Sequence, residues 1–330
     1  MRRERLQNHI AGSVFTLPVC AVVAVLMWWL PVKFETQSTL SVAEAGWGNR
    51  IIAFALMVLA TCILVEMNNR NLLLRIRSRL VSSTWLIASA TIPLTHVYSE
   101  GLAAAVCVAA SLYLLFFTYQ KRECQVNTFH WALLVGVGSI FVPHVIVFLL
   151  LFLWYQIAFL RSMSLRSFCA ALVGVLFPLC LWAAYWIVKD DYTKVLVWCN
   201  ALLDYQLVAP ENYLSFTLQQ VASWGLVTLL GLFGAVHYLN TSYNDRIQVR
   251  MLLYILTCQF FVLEAFVCLQ PQHLETLMPM LMVTAAPLIA HFFTLTYSWF
   301  TNTLFILSVF AFGALAYLNY CMPSILLTSL

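Results

Sequence analysis

Charge is the scarcest feature of this 330-residue sequence: Asp, Glu, Lys and Arg together make up 9% of it, whereas apolar residues make up 63%. Soluble domains carry about 25% charged residues, so this chain has too few to cover a water-facing surface. Its apolar residues occur in long continuous runs rather than in alternating strand-length pieces, which excludes a β-barrel. The composition therefore predicts an all-α protein that crosses a membrane many times.

Nucleotide-binding and hydrolase motifs are missing as well. The sequence contains no P-loop, G-x-G-x-x-G, H-E-x-x-H or G-x-S-x-G, which argues against ATP-driven transport, nucleotide redox chemistry and the familiar hydrolases. The ten cysteines form no C-x-x-C pair and lie mostly inside apolar runs, as small buried hydrophobes do. We predict no metal site and no nucleic-acid partner, and the sequence leaves any cofactor unidentified.

Eleven apolar segments are predicted as spans, several of them shorter than the roughly 20 residues that cross about 30 Å of hydrocarbon. They lie at 10–30, 51–66, 81–95, 101–120, 131–143, 145–160, 168–188, 221–239, 251–269, 275–294 and 303–320. Two short ones end at Pro93 and Pro143, because proline removes a backbone donor and clashes with the preceding turn. We expect 131–160 to form two helices that meet at "VPHV", either as two thin crossings or as a pair that dips part-way. The prediction is a polytopic transmembrane bundle with a single integral membrane domain over 1–330.

Basic residues are distributed unevenly between the predicted loops. Only Lys33, Arg50, Lys189 and Lys194 fall outside if the N-terminus is cytoplasmic. The other 13 of the 17 then fall inside: Arg2, Arg3, Arg5, Arg70, Arg75, Arg77, Arg79, Lys121, Arg122, Arg161, Arg166, Arg246 and Arg250. Cytoplasmic loops carry the excess of Lys and Arg, so the N-terminus is predicted to be cytoplasmic.

Acidic residues show the opposite bias. The predicted outer side, which includes the long loops 31–50 and 189–220, holds Glu35, Glu44, Glu100, Asp190, Asp191, Asp204, Glu211 and Glu275. Acids contribute little to membrane insertion, so the bias indicates an outer face suited to chemistry or to binding a polar group, although loops also need charge to stay wet. Within 189–220, "VLVWCNALL" is too short to cross and is predicted as an amphipathic helix at the interface.

Glu100 precedes the apolar segment 101–120 and opens its helix. A carboxylate in that position is favoured by the helix dipole by about 0.3–1 kcal/mol, which would be a purely structural role. The functional interpretation is an acid at the floor of an outward-facing cavity, where it could orient a base or a sugar hydroxyl.

Glu264 lies inside a predicted span, about five residues from its outer end. An ionisable residue in a span is a candidate for function. His273, His144 and Arg50 are its possible partners on the outer side, and the sequence does not choose among them. His144 lies in the "VPHV" break, where backbone groups need hydrogen-bond partners.

The run "NNRNLLLRIRSRL" (68–80) is the densest basic segment of the predicted cytoplasmic side. Polybasic segments next to a membrane bind anionic lipid, so contact with lipid phosphate is one interpretation. An anchor for topology is the simpler alternative. Membrane lipids are expected partners in either case.

Three stretches resemble, in chain order, segments of membrane glycosyltransferases of the GT-C type. In "YSEGLAAAVCVAASLYLLFFTYQKR" (98–122) an outer acid opens a span that ends in basic residues. "WALLVGVGSIFVPHVIVFLLLFLWYQIAFLR" (131–161) resembles a Gly-rich short helix, a break and a Leu-rich helix. "QPQHLETLMPMLMVTAAPLIAHFF" (270–293) resembles the late outer loop that leads into a Pro-containing span. The stretch 128–191 is also similar to an uncharacterised family of bacterial inner-membrane proteins.

The resemblance implies a GT-C-like protein of the bacterial cytoplasmic membrane that takes a sugar from a polyprenyl-phosphate carrier at the outer face. Glu44 or Glu35 would then activate the acceptor hydroxyl, and Glu100 would orient the sugar or the acceptor. Arg50 or Lys33 would hold the donor phosphate. The first outer loop departs from the family pattern, because it is short and lacks the usual acidic pair.

Two other functions stay open at this point. A non-catalytic subunit of an envelope assembly complex would bind a partner protein through its helix faces, and its acids would be expendable. A carrier for a lipid or a polar solute would show broken helices in matching halves, and the sequence shows breaks at Pro93 and Pro143 without a second copy.

Overall fold

The computed structural model of the protein describes residues 6–29, 46–76, 78–206, 213 and 216–322. Within these ranges the chain forms thirteen α-helices and no strand, which confirms the all-α prediction. The helices are α1 Leu6–Gly12, α2 Thr16–Trp28, α3 Trp47–Asn71, α4 Leu80–Thr91, α5 Glu100–Phe116, α6 Gln125–Phe141, α7 Val147–Ala158, α8 Leu165–Val188, α9 Thr193–Leu202, α10 Leu218–Thr241, α11 Ile247–Leu269, α12 Leu274–Leu295 and α13 Trp299–Cys321.

Among the residues that the structure describes, six helical segments are long and apolar enough to cross a membrane, which supports a multi-pass membrane protein. They are Trp47–Asn71, Leu165–Val188, Leu218–Asn244, Ile247–Leu269, Pro271–Leu295 and Trp299–Cys321. A seventh span is possible if α1 and α2 count as one, but the two are bent by 89° at a short break rather than forming the single straight span predicted over 10–30. The count of eleven spans stays a prediction.

Helices α4 to α7 form two pairs, each interrupted by a proline-initiated 3₁₀ turn. Pro93–Thr95 separates α4 from α5, and Pro143–Ile146 separates α6 from α7. At about 1.5 Å per residue the 12-residue α4 and α7 are each about 18 Å long, less than the roughly 30 Å of hydrocarbon. The structure confirms that two helices meet at "VPHV", while their path across the bilayer stays a prediction.

The chain packs as two compact units, one comprising Met1–Leu102 with Val208–Leu330 and the other Ala103–Leu207. The prediction of one integral membrane domain stays a prediction. In the first unit α12 is the most deeply buried helix and packs against α4, α10 and α11. Gly234 permits the approach of α10, because a Cβ there would lie 2.6 Å from the backbone of Leu288.

The second unit is built around the contact between α6 and α8. A Cβ added to Gly136 would lie 2.6 Å from the carbonyl oxygen of Val175, and one added to Gly174 would lie 2.6 Å from that of Phe129. Small residues on both helices therefore bring the two backbones together, as in membrane helix pairs. Helix α9 corresponds to the predicted "VLVWCNALL" helix and has no buried residue. Its location at the membrane interface stays a prediction.

Candidate functional site

The predicted site residues divide into three groups. Glu35, Glu44 and Lys33 lie outside the described residues. Arg50, Glu100, Glu264 and His273 belong to the first compact unit, and His144 belongs to the second.

Glu264 is a buried carboxylate held by two neutral donors. Its side chain lies on α11, and the residue is 8% exposed. The indole N–H of Trp224 donates to Oε2 at 3.0 Å, and the hydroxyl of Thr228 donates to Oε1 at 2.6 Å. Both donors lie on one face of α10, because residues four apart in a helix share a face. The hydrogen bonds compensate for the cost of burying this polar group in an apolar span.

A second acid binds to the same face of α10, one turn nearer its start. The amide of Gln220 donates to Oε1 of Glu275 at 2.7 Å. The side chain of Gln220 also completes a capping box with Thr217, which fixes the first turn of α10. Gln220, Trp224 and Thr228 follow one another at intervals of four residues, so the donors to the two carboxylates lie about one helical turn apart along one face of α10.

Glu100 is connected to this region through its neighbour Gly101. A Cβ added to Gly101 would lie 2.2 Å from the carbonyl oxygen of Thr276, so the first turn of α5 touches the first turn of α12 backbone to backbone. Glu100 and Glu275 each stand one residue from that contact. Glu100 is exposed, yet desolvation by the surrounding protein raises the pKa of its carboxyl above the ordinary value.

Pro93 has no N–H, so it cannot donate the helical hydrogen bond to the carbonyl of Ser89 near the end of α4. The carbonyls at this helix end therefore need other donors. The hydroxyl of Thr95 donates to that oxygen at 2.8 Å, and Nε2 of His96 lies 3.0 Å from it. The carbonyl of Ala90 accepts from the hydroxyl of Tyr320 at 2.6 Å. The break in α4 is therefore fully satisfied by side chains, as buried backbone in a membrane protein must be.

His96 is the centre of a buried aromatic and basic group. The residue is 0% exposed, and its ring lies 4.1 Å from that of Trp28 between centroids. Nη2 of Arg50 donates to the carbonyl of Trp28 at 2.8 Å. Burial lowers the pKa of His96 to about 3, so the imidazole is neutral at physiological pH and serves as a hydrogen-bonding group rather than a cation.

Asn319 links this group to α10. Its amide donates to the carbonyl of Thr91 at 2.8 Å and lies 3.4 Å from the hydroxyl of Ser223. Ser223 precedes Trp224, which binds Glu264. These contacts connect the buried group around His96 to α10, whose Trp224 and Gln220 bind Glu264 and Glu275. We call the set from Arg50 and His96 to these two acids the outer polar seam.

The two remaining histidines take part in ring contacts. His144 is 7% exposed, and its ring lies 5.5 Å from that of Tyr205 between centroids. His273 stacks on Phe266 with a centroid separation of 5.9 Å and an interplanar angle of 2°. No group of three or more His, Cys, Asp or Glu side chains suited to a metal ion occurs in the part of the chain that the structure describes.

Several members of the outer polar seam were missed by the sequence analysis. Trp224, Thr228, Tyr320 and Asn319 carry no motif and lie in apolar runs that predict only spans. One signal was available: polar residues recur at every fourth position of "QVASWGLVT" (220–228), which places Gln220, Trp224 and Thr228 on one helix face.

The seam offers what a polar ligand needs, namely an exposed carboxylate, two hydrogen-bonded carboxylates and an arginine in one region of an otherwise apolar unit. Comparison with protein-family models, curated proteins and solved structures finds no match to this chain.

Proposed function

We propose that this protein is a bacterial inner-membrane component of cell-envelope glycoconjugate assembly that transfers a sugar from a lipid-linked donor at its outer face, in the manner of GT-C-type transferases. One observation carries the proposal: Glu275 and Glu264 bind one face of α10 at successive positions, and Glu100 and Glu275 each lie one residue from the backbone contact between α5 and α12. Acids gathered at a membrane surface suit the activation and orientation of sugar hydroxyl groups.

The environments of the acids suggest different roles for them. Glu100 is exposed, and its raised pKa makes its carboxylate a stronger base, so it is the best described candidate for the group that accepts a hydroxyl proton. Glu264 already accepts two hydrogen bonds and acts as a positioning group. Arg50 is the cation for the donor phosphate, a task suited to a guanidinium. Glu44, Glu35 and Lys33 of the first outer loop complete the proposed set.

The test measures incorporation of labelled sugar into a cell-envelope polymer in cells that carry the variants. Glu100→Gln and Glu44→Gln are each expected to lower incorporation by about 10²–10⁴-fold, the contribution of a positioned acid or base. Glu123→Gln, which alters an acid of the predicted cytoplasmic side, is the matched control and should leave incorporation unchanged.

Normal incorporation in both Glu100→Gln and Glu44→Gln, at unchanged protein level, would refute the proposal. Movement of a lipid or solute across proteoliposomes without sugar transfer would favour a carrier instead, a role for which the two proline-broken helix pairs are suited. Full function in every acid variant, together with a stoichiometric bound protein, would favour a non-catalytic subunit.

A further inference from the structure

A second site candidate lies at the other end of the first unit, where the predicted cytoplasmic residues meet. A cavity of about 610 Å³ opens between the α1–α2 break, the end of α3 and the start of α4. Its polar lining comes from Ser13, Asn68, Asn69, Ser78, Arg79 and Ser82. Arg79 is the one ionised group among the described lining residues, so the cavity is suited to an anion.

Two observations indicate that the polar lining has capacity for a ligand. Asn68 is 8% exposed and donates to the carbonyl of Ser78 at 2.9 Å. Its Oδ1 atom is buried and accepts no hydrogen bond within the described structure, so it can accept from a hydroxyl group of a ligand. Among the described residues, the guanidinium of Arg79 reaches one carbonyl, that of Val14, at 3.4 Å, and it has further N–H donors for another acceptor.

An apolar groove of about 390 Å³ adjoins this cavity and shares Ser13 with it. The groove runs between α2, α4, α12 and α13, and its lining includes Val19, Ile87, Val309 and Phe312. From Leu80 to Ile87 it follows α4 for about 10 Å, at 1.5 Å per residue. The polar cavity and the apolar groove therefore meet at Ser13, and the groove follows α4 from its first residue.

Helix α1 is fixed beside the two openings. It lies at 89° to α2, so it lies flat at the membrane surface if α2 crosses the bilayer. The side chain of Gln7 donates to the carbonyl of Phe293 at 2.6 Å and to the hydroxyl of Thr296 at 2.9 Å. The backbone N–H of Gln7 donates to Asn302 at 3.1 Å. Helix α1 is therefore a rigid wall of the site rather than a loose terminus.

We infer that this cavity and groove form a binding site for one anionic phospholipid with a hydroxylated head group. Arg79 and the neighbouring serines hold the phosphate, Asn68 accepts from a head-group hydroxyl, and one acyl chain lies in the groove. The one positive charge of Arg79 balances the one negative charge of a phosphodiester group. Ser13, which lines both the cavity and the groove, lies where the head group of the lipid would join its acyl chain. This site lies at the opposite end from the outer polar seam and goes beyond the proposed transfer reaction. It either regulates the protein or fixes its depth in the inner leaflet.

The test measures how the purified full-length protein in detergent binds fluorescent phosphatidylglycerol and phosphatidylcholine with identical acyl chains. We expect tighter binding of phosphatidylglycerol. Arg79→Gln should weaken it about fivefold, because one basic residue contributes about 1 kcal/mol toward anionic lipid. Arg246→Gln, which removes an exposed cation outside the cavity, is the matched control and should bind as the wild type does.

A second pair of variants tests the groove independently of charge. Val309→Trp fills the groove and should reduce binding of phosphatidylglycerol, whereas Leu307→Trp on the exposed face of the same helix should not. Equal binding of the two lipids by the wild type would overturn the inference, as would equal effects of Arg79→Gln and Arg246→Gln. Competition by glycerol phosphate as strong as that of the whole lipid, with Val309→Trp silent, would show a soluble-anion site and overturn it as well.

Discussion

At the scale of single residues, the structure stabilises two buried carboxylates in different ways. Glu264 is satisfied by neutral donors, whereas Asp245 is part of a charged group between α10 and α11. Nε of Arg75 donates to Oδ1 of Asp245 at 2.6 Å, and Nε2 of His291 lies 3.3 Å from Oδ2. The His291 ring is 6.0 Å from that of His237 between centroids. Only the second arrangement couples stability to pH through an ion pair.

The sign of that coupling follows from the pKa of Asp245. Burial alone would raise this pKa, but the hydrogen bonds and charges of His291 and Arg75 outweigh it and lower the pKa below its ordinary value. The ionised carboxylate therefore stabilises the fold above about pH 4, the unfolded value, and this contribution is lost as the pH falls through the lowered pKa.

Asp245→Asn should accordingly destabilise the protein by about 1–3 kcal/mol at neutral pH, the range for a hydrogen bond to a charged group. The difference from the wild type should shrink as the pH falls below about 4. Thermal unfolding in detergent, followed by circular dichroism from pH 3 to pH 7, measures both effects. Parallel pH profiles for the two proteins would contradict this account.

Glu264 shows how far prediction reaches at this scale. Its position in a span follows from the sequence, because one acid in a long apolar run is conspicuous. Its partners do not, because Trp224 and Thr228 lie 40 and 36 residues away and neither residue type is unusual in a span. His273 and Arg50, two partners that the sequence suggested, are engaged with Phe266 and Trp28.

At the scale of helices, glycine decides which pairs can approach closely. Gly136 and Gly174 lie where any side chain would meet backbone of the facing helix, whereas Gly225 and Gly313 have nothing within 4 Å of an added Cβ. All four are helical, so helix propensity alone would treat them alike. Comparing the two pairs therefore distinguishes the effect of glycine on helix packing from its unfavourable helix propensity.

We predict opposite effects of alanine at these two pairs of positions. Gly136→Ala and Gly174→Ala should each destabilise the protein by about 1–3 kcal/mol, because the helices must move apart. Gly225→Ala and Gly313→Ala should be neutral or stabilising by up to about 1 kcal/mol. Unfolding midpoints of the four purified variants test the prediction, and it is wrong if all four alanines shift the midpoint in the same direction.

Helix ends were partly predictable at the same scale. Pro93 and Pro143 mark the breaks in the sequence because a proline affects its own turn. At the α1–α2 bend the sequence offers Gly12 and Pro18, which can mark a helix end and a helix start, but neither residue sets the 89° angle. The contacts of Gln7 with α12 and α13 hold α1 in that direction, so the bend depends on residues far along the chain.

At the scale of the whole molecule, the four helices α4 to α7 do not affect the predicted sidedness of the long loops. They form the pairs α4–α5 and α6–α7, and a pair returns the chain to the same side whether it crosses twice or dips and returns. Seven long spans therefore give the same loop locations as eleven. The contacts within the first unit agree, since Arg75 meets Asp245 and Gln220 meets Glu275, each pair on one predicted side.

Reporter fusions test this arrangement. A phosphatase reporter that is active only outside the cytoplasm should be active after Asp190 and inactive after Asp245. The reverse result would invert the predicted orientation and place the outer polar seam in the cytoplasm. A cysteine at position 98 decides whether α4 and α5 cross or dip, since only a crossing pair exposes it to an impermeant thiol reagent added from outside. The exposed Cys199 and Cys268 are replaced by serine so that they do not react.

The sequence by itself determined the membrane class, the helices, the proline breaks and the predicted sidedness, because each of these depends on the average apolarity of a segment, on the chemistry of one turn or on the count of basic residues in a loop. The tertiary structure alone decided which polar groups meet. The hydroxyl of Tyr320 satisfies a carbonyl 230 residues earlier in the chain, and Asn319, Trp224 and Gln220 find their partners in the same way. Such contacts form because buried polar groups in an apolar unit must be paired, and the partner is whichever donor the packing of helices brings within reach.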